Sequence, residues 1–332
     1  MRLIECVPNI SEGRDPAILN KISAALENIP DVHLFEYEMG NSANRSVLTI
    51  IGSPEAVEAA ALEVARIALS HIDMRFQNGI HPRIGALDVC PFIPIHNTTL
   101  DFCSKLAIQF ARKLADSFQL PVFLYAAASS RSKRIIDFRR GGYERIIKAA
   151  HLDPDFGPTQ ASPRSGASIV GARQMMLAYN INLATKDVTT ATRIAEKLRE
   201  SGRKVRKKDG SATHIPGRFQ SLQAIGWYID EFDCAQVSMN VLDIHALSLA
   251  KLYMAAEELA IEFDTQVTGS EVVGMIPKSM LLQAGRDFMK SDEADDSSLI
   301  QLAIEQLGLN DVLPFVPERK ILDIDKLITK PG

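Results

Sequence analysis

The order of extended and helical segments constrains this chain more than any single residue does. A short apolar run over residues 2–9 is followed by helical spacing at Ile18, Leu19, Ile22, Ala25 and Leu26, with Asp15 placed to cap the helix ahead of Pro16. Two extended runs, Val32–Glu38 and Arg45–Ile51, flank the turn-forming stretch Gly40-Asn41-Ser42-Ala43-Asn44. Ser53-Pro54-Glu55 then starts a second helix, carried by Val57, Ala60, Ala61, Val64 and Ala68 to about His71, and Leu87–Ile95 reads as a buried strand. The order βαββαβ comes round again downstream. It is a strand near Met175–Leu183, a helix near Val188–Ser201, strands near Gln220–Ile229 and Ala235–Leu242, a helix near Ala246–Glu262 and a strand near Val267–Met275.

This split unit is the one found in ferredoxin-like domains. The expected fold class is therefore α/β, of the α+β kind, with two ferredoxin-like subdomains and extra helices. The extra elements of the first half are a helix over about Leu100–Ser117, a strand Val122–Ala127 and a helix over about Ser132–Ala150. The Pro-, Gly- and Ser-rich stretch His151–Arg173 and the basic run from Gly202 to Gly210 both read as loops. A chain of 332 residues exceeds what one core usually holds, so two domains are expected, over residues 1–178 and 179–332.

A net charge of −4 argues against a nucleic-acid coat, which needs a concentrated positive field, and points to a small-molecule substrate. Cys6, Cys90, Cys103 and Cys234 are widely spaced, without a CxxC pair, and read as reduced core thiols rather than metal ligands. The N-terminus is too short and polar for a signal peptide, and no apolar run approaches the roughly 18 residues that span a bilayer. A cytoplasmic protein with no membrane partner is expected.

Four segments spend polar residues and glycines beyond what packing needs: Val7–Arg14, Glu38–Arg45, Gly79–Asp88 and Gly157–Arg173. Each lies at a strand end or between domains, where loops on a rigid scaffold gather ligand groups. His81 stands out among seven histidines, because Pro82 biases it toward extended geometry and Arg83 follows directly. His33, His71, His96, His151, His214 and His245 sit at element ends or in polar loops without a partner motif. Asn9, Asn44 and Arg45 are either ligand hydrogen-bonders or cap and turn residues. Arg45, Arg83 and Arg173 adjoin glycine-containing turns and suit a carboxylate substrate, or surface pairing with an acid. The glycines flanking Pro158–Ser165 allow backbone to approach a flat ligand. No phosphate-binding GxGxxG or GxxxxGK[ST] motif and no GxSxG elbow is present.

Taken together these stretches resemble the formiminotransferase family. The resemblance rests on Glu5-Cys6-Val7-Pro8-Asn9-Ile10-Ser11-Glu12-Gly13, Asn44-Arg45-Ser46-Val47, His81-Pro82-Arg83-Ile84-Gly85-Ala86-Leu87-Asp88, Asp155-Phe156-Gly157-Pro158, Gly171-Ala172-Arg173, Asn180-Ile181-Asn182-Leu183, Ile225-Gly226-Trp227-Tyr228 and Ala235-Gln236-Val237-Ser238. It implies two ferredoxin-like subdomains, tetrahydrofolate as co-substrate in a tunnel between them, no metal, and a homodimer. The family's catalytic histidine falls on His81. Its folate-contacting segment falls on Gly157, Pro158, Thr159, Gln160, Ala161, Ser162, Pro163, Arg164, Ser165 and Gly166. The cyclodeaminase domain of the animal enzyme has no counterpart here, so ammonia release from the product is not expected. An aspartate of the animal enzyme aligns with Glu38, which keeps the charge on a longer arm.

The resulting expectation is transfer of a formimino group from N-formimidoylglutamate to N5 of tetrahydrofolate, with His81 carrying the proton. Asn9, Glu38, Asn44, Arg45, Arg83 and Asp88 are candidate substrate-binding residues, Asp88 equally a turn anchor. The basic run 203–208 is either a solvated turn or a place for an anionic polyglutamate tail. Formyl exchange between glutamate and tetrahydrofolate is the alternative within enzymes. A non-catalytic folate binder and an RNA binder are alternatives outside them.

Overall fold

A computed structural model describes every residue except 132, 207–210, 290–293 and 330–332. The chain divides into two compact units. One is Met1–Gln174 with the C-terminal segment from Ile324, and the other is Met175–Asp323.

The first unit runs β1 (Leu3–Cys6), β2 (Asn9–Ile10), α1 (Pro16–Leu26), β3 (Val32–Gly40), β4 (Arg45–Gly52), α2 (Pro54–His71), β5 (Leu87–His96), α3 (Leu100–Phe118), β6 (Val122–Ala126), α4 (Ile135–Arg139), α5 (Gly142–Lys148) and β7 (Ser168–Ala172). Asp15 caps α1 by accepting the Ala17 N–H, and Pro16 at the first turn gives up a hydrogen bond no helix would have made. Thr99 caps α3 in the same manner through the Phe102 N–H. The sheet is ordered β3, β4, then β1 and β2, then β5, β7 and β6; the last three strands are parallel. Val7-Pro8 divides β1 from β2, where proline has no N–H to offer a ladder.

Alternation along β4 separates the two faces of this sheet. Leu48 and Ile50 enter the core that α1, α2 and α3 close, so Arg45, Val47 and Thr49 project from the other face. Asn9 and Glu38 both lie opposite Val47, and Glu5 lies opposite Ile51, which places all three on Arg45's face. Helices α4 and α5 cover the far end of that face, where Phe138 and Ile146 pack with Val89, Phe123 and Ile169.

The second unit runs β8 (Leu177–Leu183), α6 (Val188–Leu198), β9 (Arg203–Arg206), β10 (Ala212–Ile215), β11 (Leu222–Ile229), β12 (Cys234–Val241), α7 (Leu249–Glu262), β13 (Val267–Val273), β14 (Ile276–Pro277), α8 (Lys278–Met289), α9 (Asp296–Gln306), α10 (Pro317–Lys320) and β15 (Ile321–Leu322). Its antiparallel sheet is ordered β11, β12, β8, β13. That order matches β3, β4, β1/β2, β5 of the first unit element for element. Helix α11 (Ile324–Thr329) belongs to the C-terminal segment grouped with the first unit.

Three expectations change. The stretch His151–Arg173 is not loop throughout, since Ser168–Ala172 forms β7, inserted parallel between β5 and β6. Helix over 132–150 is replaced by α4 and α5, separated at Arg140-Gly141, where Gly141 takes φ +79; residue 132 lies outside the described residues. The basic run begins as β9, paired with β10, while 207 and 208 lie outside the described residues. Past Met275, where the repeated order ends, α8 and α9 add a further helical layer to the second core through Met280, Leu281, Ala284 and Ala303.

Candidate active site

Three of the four polar segments are sewn together by short hydrogen bonds in the first unit. Asn44 sits in the left-handed region at φ +47, accepts from the Gly13 N–H at 3.0 Å and donates to the Asn78 carbonyl at 2.9 Å. Ile80 N–H reaches the Ser42 carbonyl, and a Cβ on Gly79 would come within 2.1 Å of the Ala43 carbonyl oxygen. Ser11 donates to the Gly85 carbonyl at 2.7 Å. These bonds hold His81 against the start of β4, and Asn44 is engaged on both sides of its amide as a turn residue.

The fourth segment joins through its end. Ala86 N–H bonds the Ser165 carbonyl, Ala167 N–H bonds the Ile84 carbonyl, and Gly85 bridges to Gly166. Gly166 has φ +71, and a Cβ there would meet the Ile84 oxygen at 2.2 Å, so only glycine allows this approach. Gly157, with φ +85, lies equally close to the Leu120 carbonyl. Between them Thr159, Gln160, Ser162, Pro163 and Arg164 are exposed, while Pro158, Ala161 and Ser165 are half-buried. Arg164 is tied to the Ser70 carbonyl, and the Pro163 carbonyl accepts from Tyr143 Oη.

His81 is half-buried and makes two kinds of contact. Its Nδ1 lies 2.7 Å from the Pro82 carbonyl, which requires a proton on Nδ1. Arg45 Nη1 lies 2.5 Å from Nε2 and 2.9 Å from Nδ1. A guanidinium can only donate; with Nδ1–H assigned to the Pro82 carbonyl, Nε2 is the lone-pair nitrogen, the ring is neutral, and the approach of Nη1 to Nδ1 is a contact rather than a hydrogen bond. Burial, then the charges of Arg45 and Arg139, push the imidazole from its ordinary 6.5 down to about 2, against the Pro82 carbonyl. Arg45 itself is lowered to about 9 by burial and by Arg139, with Asp88 opposing. Arg45 Nη2 donates to Asn9 Oδ1, whose Nδ2 is fixed by the Val7 carbonyl.

Asp88 is fully buried. The ladder steps by one residue between Asn9 and Ile10, leaving Asp88 as the extra residue of β5, a bulge of the kind that re-aims a side chain beside a site. Its Oδ1 accepts from Ile84 N–H at 2.8 Å and its Oδ2 from Arg139 Nη2 at 2.5 Å. It therefore serves as the turn anchor. Arg83 is likewise occupied, bonding Glu144 at 2.9 Å and both Gln77 oxygens, and lying over the Tyr143 ring. Glu38 stands on the same face as Asn9 and Arg45, across β4 from Asn9, and is half-buried. Among the described residues no group of three His, Cys, Asp or Glu side chains is placed to hold a metal, and no helix is long and apolar enough to cross a membrane.

Arg139, Gln77 and Glu5 also belong to this neighbourhood, and the first two carry no local sequence signal. The last had a signal: an acid inside an apolar strand. Glu5 is buried on the Arg45 face, and burial raises its carboxyl from 4.5 to about 7, with Arg173 opposing. The folded protein thus holds a proton that the unfolded chain releases above 4.5, so this group's contribution to stability falls as pH rises from 4.5 to 7. Glu5→Gln is expected to be more stable than the parent at pH 8.5 by about 1–3 kcal/mol, the upper end set by a shift of roughly two units or more. The difference should close by pH 4.5. Urea melts at the two pH values measure it, and equal differences at both would refute the assignment.

A neutral imidazole bonded to one guanidinium, Arg45, and acted on by a second, Arg139, thus stands beside the bulge at Asp88 and the glycine-gated loop. The chain belongs to the formiminotransferase family: residues 3–173 match its model for the formiminotransferase domain, N-terminal subdomain, and residues 178–326 that for the formiminotransferase domain. It is 37% identical to a formimidoyltransferase-cyclodeaminase of Dictyostelium discoideum over 99% of this chain and 62% of that one. Identity to the protein of the same name from Rattus norvegicus is 40%, over 97% of this chain and 59% of the relative. A glutamate formimidoyltransferase of Streptococcus pyogenes serotype M1 is 32% identical over 89% of this chain and 95% of its own length. The chain thus spans about three-fifths of the first two relatives.

Proposed function

We propose that this chain is a glutamate formimidoyltransferase, moving the formimino group of N-formimidoyl-L-glutamate to N5 of tetrahydrofolate. The observation that carries the reading is the neutral His81 imidazole, Nε2 toward Arg45, in a chain whose two halves both match the formiminotransferase family. Tetrahydrofolate is the co-substrate, and Gly157–Gly166 is the segment assigned to it. The two halves, 1–178 and 179–332, are taken as ferredoxin-like subdomains, a reading supported by the matching strand orders.

N5 of tetrahydrofolate attacks the amidine carbon, forming the N5–C bond while the C=N π electrons move onto the imino nitrogen. His81 Nε2 takes the N5 proton. The nitrogen lone pair then re-forms the C=N bond as the C–N bond to glutamate breaks, and His81 returns its proton to the departing glutamate nitrogen. A protonated amidine carbon is already electrophilic, so the step calls for no metal. Glu38, on the same sheet face, is the carboxylate assigned to the amidinium charge. Asn9 and Arg45 contact substrate, whereas Asn44, Arg83 and Asp88 act by positioning.

The test supplies purified protein with tetrahydrofolate and either N-formimidoylglutamate or N-formylglutamate, following product absorbance. Product from the formimino donor at a rate well above that from the formyl donor supports the reading. A preference for the formyl donor replaces it with formyl exchange, and folate binding without product from either replaces it with a binding protein.

A further inference from the structure

We infer that Arg139, at the end of α4, forms with Arg45 a two-guanidinium clamp that seats a carboxylate of the donor beside His81. The inference rests on the transferase reading above and deepens it. Arg45 arrives from β4 and Arg139 from α4, and each lies close enough to act on His81 electrostatically. Arg139 also acts on Arg45, and the carboxylate that opposes this is Asp88. Asp88 is thus the carboxylate bonded to one of these largely covered cations and acting on the other. A charge withdrawn from water needs a partner, and Arg45 has no carboxylate bonded to it among the described contacts.

Each of the two guanidiniums also has hydrogen-bonding capacity unfilled. Arg45 Nε and Arg139 Nε are both buried without a partner. Asp88 takes only Nη2 of Arg139, and Asn9 and His81 take the two terminal nitrogens of Arg45. Buried donors of this kind are costly to leave unsatisfied, and a carboxylate oxygen supplies what a guanidinium edge requires. Arg83, the other arginine near the loop, is engaged by Glu144 and Gln77 and is not available for this.

The clamp also explains how so weak a base can work. The Nε2 lone pair of His81 is taken up by Arg45 Nη1. A donor carboxylate that draws Arg45 toward itself frees Nε2 and offsets the two positive charges facing the ring. The charged groups that bear on His81 are Arg45 from β4 and Arg139 from α4, with Asp88 of β5 paired to the latter; the Pro82 carbonyl meets the ring directly and the uncharged Asn9 acts through Arg45.

The test uses glutarate, a dicarboxylate that lacks the formimino group, and its uncharged diamide, glutaramide, in calorimetric titrations of the full chain. The parent is expected to bind glutarate and not glutaramide. Arg139→Gln should weaken glutarate binding on the order of ten- to a hundredfold, and Arg139→Lys by less, since it keeps charge but not the planar fork. If Arg139→Gln fails to fold with Asp88 left unpaired, the double variant Asp88→Asn with Arg139→Gln removes both charges and replaces it. In the parent, glutarate should also raise the pH at which the His81 Cε1 proton titrates by NMR, and should fail to do so in the Arg139 variant. Undiminished glutarate affinity in the Arg139 variants overturns the clamp, even if formimino transfer is observed. Absence of transfer with the glutarate pattern intact would instead overturn the transferase reading alone.

Discussion

Replacing His81 with alanine is expected to lower turnover by roughly 10² to 10⁴, the range that a positioned proton carrier contributes, and to leave the fold intact. The side chain is half-buried at the end of a turn whose geometry is set by backbone bonds from Ile80 and Ala86 and by the close approach of Gly79 to the Ala43 carbonyl, none of which needs the imidazole. Truncation removes one carbonyl contact at Pro82 and one to Arg45, and it lets Arg45 shed a close neighbour. The circular dichroism spectrum and melting midpoint should therefore stay near those of the parent while turnover collapses. Retention of full turnover in His81→Ala would remove the residue from the mechanism.

The second large effect lies on stability. Asp88→Ala is expected to cost on the order of 3–5 kcal/mol, because breaking a buried pair leaves the surviving charge uncompensated. Here the survivor is Arg139, itself facing Arg45 and mostly buried, and the Ile84 N–H loses its acceptor as well. Asp88→Asn should cost less, since an amide oxygen still accepts from Ile84 N–H. Denaturant unfolding of the two variants reads the difference, and a parent-like midpoint for Asp88→Ala would show that the bulge does not depend on this pair.

Much of the first unit's fold is legible because its signals are local. Asp15-Pro16 announces α1, the glycine and asparagines of 40–44 announce the turn between β3 and β4, and the period-3.6 pattern of α2 ends at His71 as the structure has it. Strand β7 is not legible in that manner. Its parallel neighbours β5 and β6 are distant in sequence, so no hairpin turn marks it, and five residues flanked by glycine-rich loop carry little pattern of their own.

The site divides along the same line. His81, Arg45 and Asn9 sit in short stretches whose composition departs from packing needs, and the structure brings them into hydrogen-bond contact. Asn44, Arg83 and Asp88 sit in the same stretches yet are spent on holding the turn, and residue type alone does not separate the two uses. Arg139 lies about fifty positions from its partner Asp88, on a five-residue helix that ends just ahead of Gly141. Only the sheet and the bulge at Asp88 bring it to the site, and nothing in its local sequence says so.

The proposed proton transfer requires a neutral His81 imidazole with its proton on Nδ1 and its lone pair on Nε2. The measurement that addresses this most directly is an NMR pH titration of the ligand-free protein carrying ¹⁵N-labelled histidine, with His81 assigned by comparison with His81→Ala. The predicted result is an Nδ1–H tautomer whose nitrogen shifts stay constant from pH 5 to pH 8, because burial and the charges of Arg45 and Arg139 hold the ring far below its ordinary range. Titration of His81 near 6.5, or a proton resident on Nε2, would contradict it.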